Sequence, residues 1–506
     1  MPNTPLKLAV ASFAAAGAFF ALCPDALAAV RSVGPGKTYS APCAAFAAAS
    51  DGDTIEIDAA GSYTGDVCVF KKNNLTIKGI GGKAKIDAGG KNAGGKAIWV
   101  IQGNDTTIED VELSGCTVPD ANGAGIRQEG NNLTVRRMYF HDNENGILGG
   151  GDATSTVWVE SSEFAKNGAG DGYSHNMYIA EIKSFTLIGS YSHHAKVGHL
   201  VKSRALRNHI LYNRLTDETG TASYEIDLPQ GGPSWIIGNI IEQSPTTDNS
   251  AIISFARESK RNPDTALWVV ANTFFNARSA GTFVAVASSV GSATLRDNIF
   301  AGPGTVCDLA GAVLDGNYVG DAQFVDAAAF DFHLKAGSPA IDKGVPAGTG
   351  GSESLAPACQ YVHPTHAVVR SVVGTLDQGG FELGGETTTP CGGTTPGDAG
   401  PATDAGPGTD AGPGTDAGPG TDAGPGSDAG PGTDAAGGDA ARSDSGTTPG
   451  SDSGTPGDDA GADGATPGDS AGCGCRTPSG SSGEAAGGAL LALGALGLAL
   501  SRRRAR

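Results

Sequence analysis

The sequence predicts an all-β chain wound as a parallel β-helix, a solenoid of about ten coils. Three observations predict it. An aliphatic residue followed five positions later by a second, usually apolar, residue recurs at Ile77, Ile108, Val135, Val159, Leu187, Ile210, Ile236, Val269, Leu295 and Leu314, often with Asn two places before the second residue, as in IIGNII from Ile236. Successive anchors lie 19 to 33 residues apart, too far for a hairpin meander and suited to turns that stack each strand on its copy. Finally, Leu133/Val135, Val157/Val159, Phe185/Leu187 and Leu267/Val269 are apolar pairs two apart, the period of a pleated strand.

In chain order, residues 1–28 carry Lys7, an apolar run from Leu8 to Leu22 and Ala26-Leu27-Ala28, the pattern of a secretory leader cleaved before Ala29. The β-helix is expected over 29–320. Its first coil needs a cover, and APCAAFAAAS at 41–50 can form a short amphipathic helix ahead of a strand at 53–57. Turns rich in Gly and Asn, such as Asn122-Gly123 and Asn145-Gly146, suit corners that need positive φ, and their Asn residues can ladder from coil to coil. A last coil and cap are placed at 321–390. Residues 391–472 shift to Gly, Pro, Asp, Ala, Ser and Thr, with Thr/Ser-Asp-Ala-Gly-Pro-Gly five times between Thr403 and Gly432, a self-repelling linker without a core. Residues 473–506 contain Cys473-Gly-Cys475, an apolar run from Ala485 to Leu500 that approaches the roughly 20 residues of a membrane span, and a terminal Arg cluster.

The net charge is −20, but fourteen Asp against two Arg between Cys391 and Arg476 supply −12 of it. The acidity therefore belongs mainly to the linker and gives no support for nucleic-acid binding. Outside the leader and the tail stand Cys43, Cys68, Cys116, Cys307, Cys359 and Cys391, an even number that suggests disulfides in an exported protein, Cys43 with Cys68 and two of the C-terminal set together.

Two resemblances extend this reading. The tail resembles the MYXO-CTERM sorting signal of myxobacterial surface proteins, which implies processing or lipidation near Cys473 or Cys475, engagement of sorting and secretion machinery, membrane attachment and display on the cell surface. The segment from Phe332 to Gly344 with 377–382 resembles the terminal coil of bacterial right-handed β-helix proteins, and the chain as a whole resembles the pectate-lyase-like superfamily.

Candidate chemistry concentrates in one window. Five of nine histidines fall between His175 and His209, with Tyr178, Glu181, Lys183, Lys196, Lys202, Arg204 and Arg207 in the same window and Glu225 and Asp227 following one coil later. Counting back from the anchors stacks Asn176, His199 and Glu225 in one row and Tyr178, Val201 and Asp227 in another, about 4.8 Å apart. Such a strip suits an extended acidic glycan. Eliminative cleavage of a uronate needs a base beside the carboxylate and a cation to neutralise it. Lys202 is the first choice of base, His199 or Tyr178 the proton donor, and Arg204, Asn176 and His175 substrate contacts. Glu225 and Asp227 are candidate Ca²⁺ ligands through oxygen, or alternatively a hydrolase acid/base pair. His199-Leu-Val-Lys-Ser203 resembles the alginate-lyase and chondroitinase-B-like polysaccharide lyases, in which a Lys-Ser pair supplies the base. There the next coil supplies an Arg, whereas Tyr224-Glu-Ile-Asp227 stands here, and Val197 and Gly198 occupy places where acidic residues would be expected. The function expected is binding or cleavage of acidic extracellular polysaccharide by an exported, surface-tethered protein. The alternative is a non-catalytic glycan-binding or adhesive display module, and the oligomeric state stays open.

Overall fold

The computed structural model describes residues 28–391 except 151 and 259–260. The expected leader, linker and tail, with Cys473 and Cys475, lie outside these residues apart from the boundary positions Ala28 and Cys391. Within them the chain is a parallel β-solenoid of the right-handed type with about 11 turns. Its turns build three sheets of twelve, ten and ten strands.

The ten anchors form one unbroken row of the twelve-stranded sheet. Ile77 pairs with Ile108, Ile108 with Val135, and so on through Val159, Leu187, Ile210, Ile236, Val269, Leu295 and Leu314 without a slip. Parallel stacking places like residues over like, so one aliphatic position per turn yields a continuous core. Phe140 on Phe164 and Phe274 on Phe300, with ring centroids 4.7 and 5.0 Å apart, extend the same principle to the ten-stranded sheet that follows in each turn, here the second sheet.

Three residues past the anchor the Asn signal becomes a buried ladder. Asn213, Asn239, Asn272, Asn298 and Asn317 each donate to the anchor carbonyl one turn back at 2.8 to 2.9 Å. The first four also donate to the side chain of the next Asn at 2.9 to 3.0 Å. These bonds satisfy corner groups that water cannot reach, which explains why an amide recurs inside an otherwise apolar column.

The helix Pro42–Ala48 covers the first turn, with Phe46 packed on Phe70 at 4.5 Å and on Trp99 at 5.2 Å. Disulfides join Cys43 to Cys68 and Cys359 to Cys391, while Cys116 and Cys307 are free thiols.

The segment expected as a closing coil behaves differently. After an antiparallel pair, Phe324–Asp326 with Asp331–Leu334, the chain returns along the outside of the solenoid. Gly350 O accepts from the Trp235 indole, Glu353 holds Arg207 and His209 at 2.7 and 2.9 Å, and Ala358 N donates to Tyr212 Oη. Leu355, Cys359 and Ala367 thereby cover Ile188, Ile237 and Val270. The returning segment buries Trp235 against Trp268, and Arg370 pairs with Glu382 at 2.9 Å fully out of solvent. The last anchor, Leu314, keeps 54 % of its surface exposed.

Candidate functional site

The third sheet, which runs from Cys68–Phe70 to Thr305–Cys307, carries the candidate residues. On it Tyr178 pairs with Lys202, Lys202 with Asp227, and Asp227 with Ser254. The sequence count had put Val201 in that row. The correction has a simple cause: seven positions separate Tyr178 from Phe185 and Asp227 from Ser234, but only six separate Lys202 from its counterpart Asn208. One residue fewer in that turn moves Lys202 into line and sends Val201 to the core beside Ile226.

Lys202 Nζ and His199 Nε2 each lie 3.5 Å from Asp227 Oδ2. Arg204 donates to the Tyr178 phenol oxygen at 2.5 Å and pairs with Glu258, a residue the sequence reading passed over. Glu258 follows the strand Ala251–Phe255, two turns beyond the strand that precedes Arg204 on the same sheet, so the stacking order was the signal that could have found it. The His175 and His199 rings stack at 4.4 Å. His175 Nδ1 accepts from the His199 backbone N–H at 3.0 Å, and His199 Nδ1 from Tyr224 N–H at 3.4 Å, which leaves His199 Nε2 to face Asp227 as the protonated nitrogen. Apart from the half-buried Glu258 the group is nearly sealed: Tyr178 and Arg204 are 7 % exposed, Asp227 5 %, His199 3 % and Lys202 1 %.

Burial sets the protonation states. It holds both imidazoles well below their ordinary range, helped by Lys202 and Arg204 and, for His199, by His175, so both are neutral. It also raises Asp227, against the opposing pull of Lys202 and Ser254. The turn that delivers His199 is close-fitting. Val197 holds φ +60°, strained for a β-branched residue, and a Cβ on Gly198 would meet Ser174 O at 1.8 Å. No acidic side chain could therefore stand at position 198.

Two expected members of the site lie elsewhere. Asn176 is fully buried in an internal ladder, accepting from the Asn167 amide and donating to Ser192 Oγ and the His193 carbonyl at 3.0 Å. Its amide is engaged in architecture, not substrate contact. Glu225 is fully buried beside Asp217 and Glu242, whereas Asp227 answers to Lys202, Ser254 and Arg204. The pair therefore has no common surroundings in which to share a calcium ion, and no group of three or more His, Cys, Asp or Glu among the described residues is arranged for a metal.

Fold and row together define a parallel β-helix protein with a charged, sealed cluster on the outer side of one sheet. No protein-family model matches the chain and no curated protein is similar to it. Among solved structures it is similar to pectate lyase Pel9A, at 15 % identity and a TM-score of 0.47 over 67 % of this chain and 90 % of that one. It is similar also to an alginate lyase from Paenibacillus sp. str. FPU-7, at 13 % identity and a TM-score of 0.36 over 58 % of this chain and 99 % of that one. Neither likeness bears on the residues of the row.

Proposed function

We propose that the chain is an exported, surface-tethered protein that binds an acidic polysaccharide over the Tyr178–Lys202–Asp227 row, whose nearly sealed side chains have to be uncovered before they can meet it, and cleaves it by elimination. The observation that carries this reading is the convergence of Lys202 and Arg204 with a phenol and two neutral imidazoles on adjacent turns. The disulfides Cys43–Cys68 and Cys359–Cys391 fit an oxidising compartment.

The geometry changes the assignment of roles. Lys202 Nζ lies 3.5 Å from Asp227 Oδ2, an ion-pair contact, and it acts as the cation that neutralises the substrate carboxylate. Tyr178, whose phenol oxygen accepts an N–H from Arg204, takes the proton beside the carboxylate and returns a proton to the leaving glycosidic oxygen as the C–O bond breaks and the double bond forms. His199 keeps Asp227 oriented.

The test is a panel of uronate polymers followed by the ultraviolet absorbance of the unsaturated product. Tyr178→Phe is expected to lower the rate by roughly 10² or more, the contribution of positioned acid–base groups, and Lys202→Ala to weaken binding as well as rate. Polymer binding without product in the wild type would make this a non-catalytic binding module. Neither binding nor product would overturn the reading.

A further inference from the structure

The returning C-terminal segment does more than cover the solenoid. Between it and the outer face of the second sheet lies a cavity of about 670 Å³, within the size range of pockets that enclose most of a small ligand. Tyr191 and Arg214 belong to adjacent turns of that sheet, Phe330 to His333 come from the antiparallel pair that precedes the return, and Tyr361 to His363 and Phe381 from the returning chain. The lining residues are separated by more than a hundred positions in sequence, so no local motif announces the site.

We propose that this cavity binds a neutral sugar residue, at a face of the solenoid separate from the Tyr178–Lys202–Asp227 row and whether or not that row turns over substrate. The first argument is shape. His333 lies flat on Phe381 at 3.8 Å, and Tyr191 is stacked on His193 at 4.0 Å with His363 edge-on at 5.3 Å. The exposed rings among them, His333 and His363, can receive the C–H face of a pyranose, while its hydroxyl edge needs donors and acceptors held in place.

The second argument is that such groups are already fixed. Arg214 donates to Phe330 O and Glu218 at 3.1 Å each, with its guanidinium 5.5 Å from the Tyr191 ring. Glu218 also accepts from Tyr191 Oη at 2.5 Å and Thr216 Oγ1 at 3.1 Å. A carboxylate and a guanidinium locked side by side present an acceptor and a donor edge to vicinal hydroxyls without reorganisation.

The third argument is charge. Glu218, Asp331 and Glu386 line the cavity against one Arg, which disfavours an acidic sugar. Glu218 and Asp331 are already engaged by Arg214 and His333, so that of the three lining carboxylates only Glu386 could answer a quaternary cation. A neutral sugar fits both constraints.

The experiment is calorimetric titration of the full chain with gluco-, manno- and galacto-configured neutral disaccharides. His333→Ala and His363→Ala are the variants, since both side chains are exposed and their loss spares the core. At least one disaccharide is expected to bind. Each variant is expected to weaken it roughly three- to tenfold, the value of one aromatic contact, while Lys202→Ala leaves it unchanged. Acidic-polymer binding by the two His variants is expected to match the wild type, so failure here and failure at the row are told apart. The proposal is overturned if no neutral sugar binds, if both variants bind it as the wild type does, or if tetramethylammonium occupies the cavity in its place.

Discussion

Replacing Glu242 by Gln should stabilise the protein at neutral and alkaline pH, and the structure gives the size of the effect. Glu242 is fully buried, with Oε2 accepting from Glu218 N–H and Oε1 without a hydrogen-bond partner. Burial first, then the nearby Asp217 and Glu218, push its carboxyl up to about 8, and burial likewise raises Asp217 to about 6. A carboxyl raised on folding contributes stability that is complete below its unfolded value and is lost as pH rises through the folded one. At about 1.4 kcal/mol per pH unit, Glu242 costs the folded state about 3 kcal/mol at pH 7. Gln keeps the acceptor for Glu218 N–H and cannot ionise, but its amide nitrogen stands where Oε1 has no partner, a loss of about 1 kcal/mol. Urea midpoints at pH 4.5 and pH 8 are the assay. Wild type should weaken between the two, and Glu242→Gln should be about 3 kcal/mol the more stable at pH 8, where the cost of the buried carboxylate reaches about 4 kcal/mol, while giving no gain at pH 4.5. A wild-type midpoint that is flat with pH, or a variant destabilised equally at both, would refute the reasoning.

Other expectations follow from the ladders and the returning segment. Leu295→Ala should cost about 2–5 kcal/mol in a denaturant titration and Leu314→Ala less than about 1, because the two share a row but only Leu295 is enclosed. Asn272→Ala removes the partner of Ile236 O and of the neighbouring amides, so its thermal unfolding should report a loss of roughly 2–4 kcal/mol. Glu382→Ala leaves Arg370 buried without its carboxylate and should lower stability by about 3–5 kcal/mol, with faster proteolysis of the returning segment.

The sequence carried the solenoid further than it carried the site, for a physical reason. Anchors and Asn ladder obey strict register, since a slipped turn would leave an aliphatic residue or an amide without its counterpart. Corner lengths are not bound in that way. The shorter turn after Ser203 brought Lys202 level with Tyr178, a shift of one residue that periodicity cannot reveal. Asn176 looked like a surface ligand because internal and external Asn share one residue type, and only its bonds to Asn167 and Ser192 separate the two. The return of residues 345–391 along the outside was illegible for another reason. Its contacts, such as Glu353 with Arg207, join positions 146 apart and leave no local pattern.

Substrate meets the Tyr178–Lys202–Asp227 row, and not the row that counting back from the anchors gives. Calorimetric titration of a uronate oligosaccharide into wild type, Lys202→Met and Glu225→Gln tests it most directly. The account predicts binding that Lys202→Met abolishes and Glu225→Gln leaves intact, because Lys202 lies in the row while Glu225 stands outside it, beside Asp217 and Glu242. Undiminished binding in Lys202→Met, or a loss confined to Glu225→Gln, would contradict it.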